Sequence, residues 1–136
     1  MKDFQMDCVN METDVLIIGA GPSGMWTAKH LKELEPGLQV TVVDKAGADW
    51  GGLMTMSEGD FDAVTPEENI DEWVKDLVYY WDGLCDQELM ETLFRASYDR
   101  LCEYEKLGCT YTRKEDGNFK GIPQRGLDNV KLCITK

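Results

Sequence analysis

The sequence has a single histidine, His30, among 136 residues. One histidine leaves no room for a Ser–His–Asp triad that is separate from a structural role for that residue, or for a cluster of imidazole metal ligands. Cysteine is present five times, as Cys8, Cys85, Cys102, Cys109 and Cys133, and no two of them are spaced CxxC. Neither a zinc knuckle nor a self-contained iron–sulphur site follows from that spacing. An odd number of unpatterned cysteines reads as reduced thiols in a reducing compartment. Positive charge is also scarce. Lys plus Arg is 14 against 26 Asp plus Glu, for a net charge of −12. A phosphate backbone or an anionic lipid surface would be repelled, which excludes nucleic-acid and membrane-surface binding as primary roles. No apolar run approaches the ~20 residues needed to cross a bilayer. The first residues, with Asp3 and Asp7 and no apolar stretch, do not form a signal peptide, so a cytoplasmic protein is expected.

What is present is a globular composition, 43% hydrophobic and 29% charged, with length for one ordinary domain. Residues 1–12 read as a loose tail, and residues 13–136 as the domain. Asp14-Val15-Leu16-Ile17-Ile18 is a short apolar run ended by glycine, the pattern of a strand buried on both faces of a parallel sheet. Ser23 to Glu35 reads as a helix with Met25, Ala28, Leu31 and Leu34 facing inward, stopped by Pro36-Gly37. Val40 to Val43 is a second buried strand. Strand, helix and strand within about 30 residues make a right-handed βαβ unit.

A long loop, 45–64, rich in Gly and Met, follows and has room for one short strand. Thr65, Pro66 and Glu68 have the spacing of a capping box and open a helix. Ile70, Trp73, Val74, Leu77, Val78 and Trp81 give that helix one apolar face. Asp86 caps a further helix running to Leu107, with Leu89, Met90, Leu93, Phe94, Leu101 and Tyr104 inward and Gly108 as its stop. Cys109–Arg113 reads as a strand, Glu115–Asn118 as a turn, and Val130–Ile134 as a last strand. The fold class is therefore α/β, a Rossmann-like βαβ unit followed by an amphipathic helix pair.

Gly19-Ala20-Gly21-Pro22-Ser23-Gly24 has the form G-x-G-x-x-G, and it lies where its chemistry needs it, between a strand and a helix. Gly19 permits the tight turn, Gly21 lets a pyrophosphate approach the backbone, and Gly24 lets helix and strand pack closely. The helix offers its free N–H groups and positive dipole end to the phosphates. Asp44 ends the second strand, 20 residues after Gly24. A carboxylate there accepts hydrogen bonds from ribose hydroxyls and repels a 2′-phosphate. The residues point to a dinucleotide and leave FAD and NAD both open.

The segment after Asp44 decides between them by resemblance. Asp44-Lys45, Gly51-Gly52 and Leu53-Met54-Thr55-Met56-Ser57-Glu58-Gly59 resemble the flavoproteins of the fumarate reductase and succinate dehydrogenase superfamily, with the nearest likeness to the adenylylsulfate reductase alpha subunits. Pro66-Glu67, Leu107-Gly108 and Cys109-Thr110-Tyr111 resemble later features of the same family, so the likeness covers about residues 13–115. It implies that Gly19, Gly21, Pro22, Ser23 and Gly24 hold the pyrophosphate of FAD and Asp44 its adenosine ribose. It also implies that Lys45, Gly52, Thr55, Ser57 and Gly59 line the path toward the flavin.

Family members that attach FAD covalently use a histidine near the position of Gly52. His30 lies in the first helix, so FAD is expected to be non-covalent. The loop also departs from the family in carrying Glu58, Asp60 and Asp62. The family's proton donors and substrate-binding residues lie further along than this sequence reaches. The resemblance therefore implies an N-terminal part of an oxidoreductase with no catalytic residue of its own, and the cysteine spacing gives it no metal site. A small-molecule substrate and an iron–sulphur electron-transfer subunit would be its partners.

Two other readings share these residues. Monooxygenases and geranylgeranyl-type reductases also begin with Gly-Ala-Gly-Pro-Ser-Gly, whereas disulfide reductases need a CxxxxC pair that is absent. A stand-alone interaction module would instead use Trp73, Tyr79, Tyr80 and Trp81 as a partner-facing surface.

Overall fold

The computed structural model describes residues 9–47, 50, 52–57, 59–124 and 126–136. Cys8, Gly51, Glu58 and most of the N-terminal tail lie outside the described residues. The chain forms two compact units, 1–57 and 58–136.

The first unit is the βαβ module. Strand β1 (Val15–Ile18) pairs in parallel with β2 (Val40–Val43), Val15 opposite Val40 and Ile18 opposite Val43. Helix α1 (Pro22–Leu34) connects them. Proline at its first position is preset for the helix and has no N–H to leave unpaired. Beyond the described part of the following loop, Leu53–Met56 makes a single 3-10 turn.

The strand pattern is only half what the sequence suggests. Burial alternates along β1, with Leu16 55% and Ile18 83% exposed. A two-stranded sheet with one helix against it has one covered face, so alternate side chains remain open. On α1, Ala28 and Leu31 are half-buried, but Met25 and Leu34 are exposed, a correction to the inward set. The short helix meets the sheet along a narrow line, and positions at either end of the stripe overhang it.

In the second unit, β5 (Lys131–Cys133) is the middle strand of an antiparallel sheet between β3 (Phe61–Asp62) and β4 (Gly121–Pro123). Helices α2 (Ile70–Tyr80) and α3 (Gln87–Lys106) pack on each other. One core gathers Val64, Trp73, Leu77, Met90, Leu127 and Val130. A second gathers Ala63, Leu101, Tyr111, Phe119 and Cys133. Asp86 caps α3 by accepting from Leu89 N–H at 2.9 Å, and Gly108 at φ +105° ends it, both as the sequence indicates. The 109–113 segment is not a continuous strand. It makes two isolated bridges, Tyr111 to Thr135 and Arg113 to Phe119.

Three details depart from expectation. Thr65 and Glu68 make one half of a capping box, with Thr65 N–H and Oγ1 both donating to Glu68 Oε2 at 2.9 Å, while Glu68 N–H donates to the Thr65 carbonyl at 2.9 Å in place of its hydroxyl. Yet they close an isolated turn, and α2 starts after Asn69, whose extended backbone (φ −105°, ψ 118°) separates the two. Asn69 Oδ1 caps by accepting from Asp71 N–H at 2.9 Å. Leu89 and Leu93 are exposed on α3, while Ser97 is buried. Ser97 Oγ accepts from Val64 N–H at 3.0 Å and donates to Phe94 C=O at 2.7 Å, which satisfies the polar group inside. Finally, Trp73 is 1% exposed, so it cannot belong to a partner-facing aromatic surface. Tyr79, Tyr80 and Trp81 are exposed.

Candidate functional site

The glycine turn lies between β1 and α1, in the predicted context. Gly19 leaves the strand at φ +108°, a conformation that disfavours any residue with a Cβ. Its N–H donates to Val43 C=O at 2.7 Å, carrying the parallel ladder one residue past β1. Gly24 sits where helix and strand touch. An ideal Cβ on it would lie 1.9 Å from Gly19 O and 3.3 Å from Ile17 Cγ2. That approach is open only to glycine.

Gly21 is the N-cap of α1, extended at φ −70° and ψ 178°, and it makes no side-chain cap bond. The N–H groups of Ser23 and Gly24 head the helix, where the dipole is positive and no acidic residue occupies the first turn. A Cβ at Gly21 would meet nothing within 4 Å. The turn thus combines helix-end donors with open space in front of the backbone, which is the geometry a pyrophosphate requires.

Asp44 stands at the end of β2 beside this turn. Its Oδ2 accepts from Ala20 N–H at 2.6 Å and its Oδ1 from Ala46 N–H at 3.0 Å. The Ala20 donor, followed by Ala46, holds the carboxyl below the usual carboxylate range, so Asp44 is an anion at neutral pH. Ile18, Gly19, Val43, Asp44 and Lys45 line a cleft of about 340 Å³ at the C-terminal ends of the two strands. Ligands of open parallel sheets bind at that end.

Gly52 comes close to the turn as well. At φ +81° it leads into the 3-10 turn, and its ideal Cβ would be 3.6 Å from Gly21 Cα. Thr55 Oγ1 donates back to Gly52 C=O at 2.9 Å, tying the 3-10 turn to that glycine. Ser57 ends the same unit. Gly59 belongs to the second unit, at φ +83° against the Thr135 side chain, so it is not assembled with the glycine turn within one unit. Of the loop carboxylates, Asp60 accepts from Thr135 N–H at 3.2 Å and Asp62 from Gln124 Nε2 at 2.6 Å. Burial pushes the Asp62 carboxyl above its ordinary range. His30 pairs with Glu33 at 3.0 Å on the outside of α1, away from any nucleophile role. Among the described residues no group of His, Cys, Asp or Glu is arranged to hold a metal ion. No helix there is long and apolar enough to cross a membrane.

Three contributors escaped the sequence reading. Ile18 and Val43, read as core, wall the cleft, and Ala20 supplies the N–H that Asp44 accepts. The signal for the first pair was available, since each is the last apolar residue before a functional one at a strand's C-terminal end. For Ala20 no side-chain signal exists.

Comparison with known proteins agrees with this geometry. The family model of the FAD binding domain matches residues 14–134. The fumarate reductase flavoprotein subunit of Mycobacterium tuberculosis is 30% identical over 119 residues, 87% of this chain and 20% of that protein. Among solved structures, the Mycobacterium smegmatis Sdh1 complex matches with a TM-score of 0.74 and 25% identity, over 90% of this chain and 21% of that one. The adenylylsulfate reductase of Archaeoglobus fulgidus matches in fold, with a TM-score of 0.68 and 24% identity, over 92% of this chain and 20% of that one. The chain spans about a fifth of the length of the curated relatives it matches.

Proposed function

The chain belongs to the FAD binding domain family, and its matched relatives include fumarate reductase and succinate dehydrogenase flavoproteins; on that premise we propose that it is the FAD-binding N-terminal segment of a flavin-dependent oxidoreductase. The observation that carries this reading is the Gly19–Gly24 turn, uncapped by any side chain at Gly21 and flanked by the Asp44 anion. The residues fit the group. The Ser23 and Gly24 N–H groups and the open space at Gly21 would hold the pyrophosphate. Asp44 would accept from the ribose hydroxyls. Ile18 and Val43 would offer apolar walls to the adenine. Lys45 lines the same cleft and adds positive charge near the phosphates. Gly52, Thr55 and Ser57, in the same unit as the glycine turn, would then line the path toward the flavin end.

Bound FAD supplies hydride or single-electron transfer, and the protein supplies position and electrostatics. This chain's share is the adenosine and pyrophosphate half. Its only histidine is committed to α1, so attachment is non-covalent. The substrate-binding and proton-transferring groups come from outside these 136 residues. Electrons pass between a small substrate and a redox partner, which we take to be an iron–sulphur subunit. Support for a partner is that matched relatives carry the name flavoprotein subunit and one solved match is a complex.

The test is a titration of the protein with FAD, followed by flavin fluorescence, and then acid precipitation. Saturable binding with all flavin released to the supernatant is the expected result. No binding overturns the assignment, and flavin retained in the precipitate overturns non-covalent attachment.

A further inference from the structure

Asp44 is usually thought of, at such a strand end, as a partner for ribose. In this chain its carboxylate is already engaged. Oδ2 accepts from Ala20 N–H at 2.6 Å and Oδ1 accepts from Ala46 N–H at 3.0 Å. Ala20 is the second residue of the glycine turn and is 5% exposed. Its N–H therefore has little access to water, and a buried donor without an acceptor costs its full desolvation penalty. Gly19, one residue earlier, is fixed by the Val43 carbonyl. The first two residues of the turn are thus both held by the end of β2, one through main chain and one through the Asp44 side chain. No other bond to the Ala20 N–H is seen among the described residues.

A carboxylate has about four lone-pair sites. Two are used by backbone donors, and about two remain, enough for the two hydroxyls of one ribose. We propose that Asp44 is a positioning residue for the phosphate turn: it fixes the Ala20 N–H, and through it the backbone that receives pyrophosphate, while its remaining lone pairs serve the ribose. The inference rests on the proposed reading of the turn as a pyrophosphate seat. It adds that phosphate and ribose recognition are coupled through one side chain.

The experiment uses inorganic pyrophosphate, which has no ribose, as the probe. Its affinity is measured by calorimetry for the wild type, Asp44→Ala and Asp44→Asn. Backbone amide exchange at Ala20 is followed by NMR in the same ligand-free proteins. Asp44→Ala should lose protection at Ala20 and bind pyrophosphate about tenfold more weakly or worse. Asp44→Asn keeps an acceptor for Ala20. It should restore both readouts to within about threefold, which a general structural defect would not do. Unchanged Ala20 exchange and unchanged pyrophosphate affinity in Asp44→Ala would confine Asp44 to the ribose and overturn the proposal. If the Ala variant does not fold, Asp44→Asn decides alone, since unprotected Ala20 with native pyrophosphate affinity also overturns it. A wild type that does not bind pyrophosphate, yet shows Ala20 protection dependent on Asp44, would sink the phosphate-seat reading and leave the clamp standing.

Discussion

Two glycines of the turn separate packing from binding. A methyl group at Gly24 would lie 1.9 Å from Gly19 O and 3.1 Å from Gly19 C. The obstacle is backbone, which cannot rotate aside as a side chain can. To restore van der Waals contact, the first turn of α1 must retreat from β1 by more than about 1 Å. Overpacking of this kind costs typically 1–3 kcal/mol, and a blocked main-chain contact belongs at the upper end, about 3 kcal/mol. For a unit of this size that lowers Tm by roughly 10 °C or more. Gly21→Ala is the counterpart. The backbone there, φ −70° and ψ 178°, suits alanine, and its Cβ would meet nothing within 4 Å. In the ligand-free protein the stiffer unfolded chain, worth about 0.4–1 kcal/mol, offsets the preference for glycine over alanine at an N-cap, so stability should stay close to that of the wild type. The new methyl, however, occupies the space that the pyrophosphate needs. FAD affinity should fall by about tenfold or more. Thermal melts of the ligand-free proteins, with FAD titrations on the same preparations, read both effects. Low Tm for Gly24→Ala, and native Tm with weak binding for Gly21→Ala, is the expected crossed pattern. Native FAD affinity in Gly21→Ala would refute the phosphate seat, and a native Tm in Gly24→Ala would refute the close helix–strand contact.

Glu68 is a structural anion, with its side chain 10% exposed, held by Thr65 N–H, Thr65 Oγ1 and Lys131 Nζ at 2.5 Å. Glu68→Ala orphans buried donors and should cost about 2–4 kcal/mol in urea denaturation. A change within about 0.5 kcal/mol, typical of surface sites, would contradict that role. Burial pushes the Cys133 thiol up to about 11 and the Tyr111 phenol up to about 12, from ordinary values of 9 and 10. Both favour the neutral form when folded. Their stabilisation is complete below about pH 9 and lost as pH rises through 11 and 12. Melting temperature should therefore decline over that alkaline window, and a flat profile would speak against it. At pH 8, iodoacetamide should leave Cys133 unlabelled in the native protein and label it in urea, because the thiolate is the reactive form.

The βαβ unit was legible because its signals are local. Two apolar runs, a glycine pattern and a proline at the first helical position each name their own conformation. Burial was not legible from the same runs. A continuous apolar stretch has no period, so Val15–Ile18 could not say that Val15 and Ile17 would be half-buried and Leu16 and Ile18 exposed. The Thr65–Glu68 box shows a second limit. The Glu68 carboxylate accepts from Thr65 as the residue types dictate, but the Glu68 N–H went to the Thr65 carbonyl, and the next residue, Asn69, set where the helix began. Four-residue chemistry does not carry that information. The link from Ala20 to Asp44 was illegible for a third reason. It spans 24 residues, and alanine contributes only its N–H.

That last bond bears on how such a site tolerates being built from so small a unit. The β1–β2 sheet has one helix against it and leaves Ile18 and Val43 exposed at the cleft. A ring stacked there removes apolar surface from water, at about 25 cal/mol per Å² buried. The gain adds to the unit's folding stability, because a ligand bound only to the folded form shifts the equilibrium by mass action. The turn must, however, hold its shape before the ligand arrives, or part of the binding energy goes into ordering it. Main-chain and carboxylate bonds from β2 to Gly19 and Ala20 do that ordering in advance. The apolar walls are then free to stay open, since the turn's geometry does not depend on what covers them.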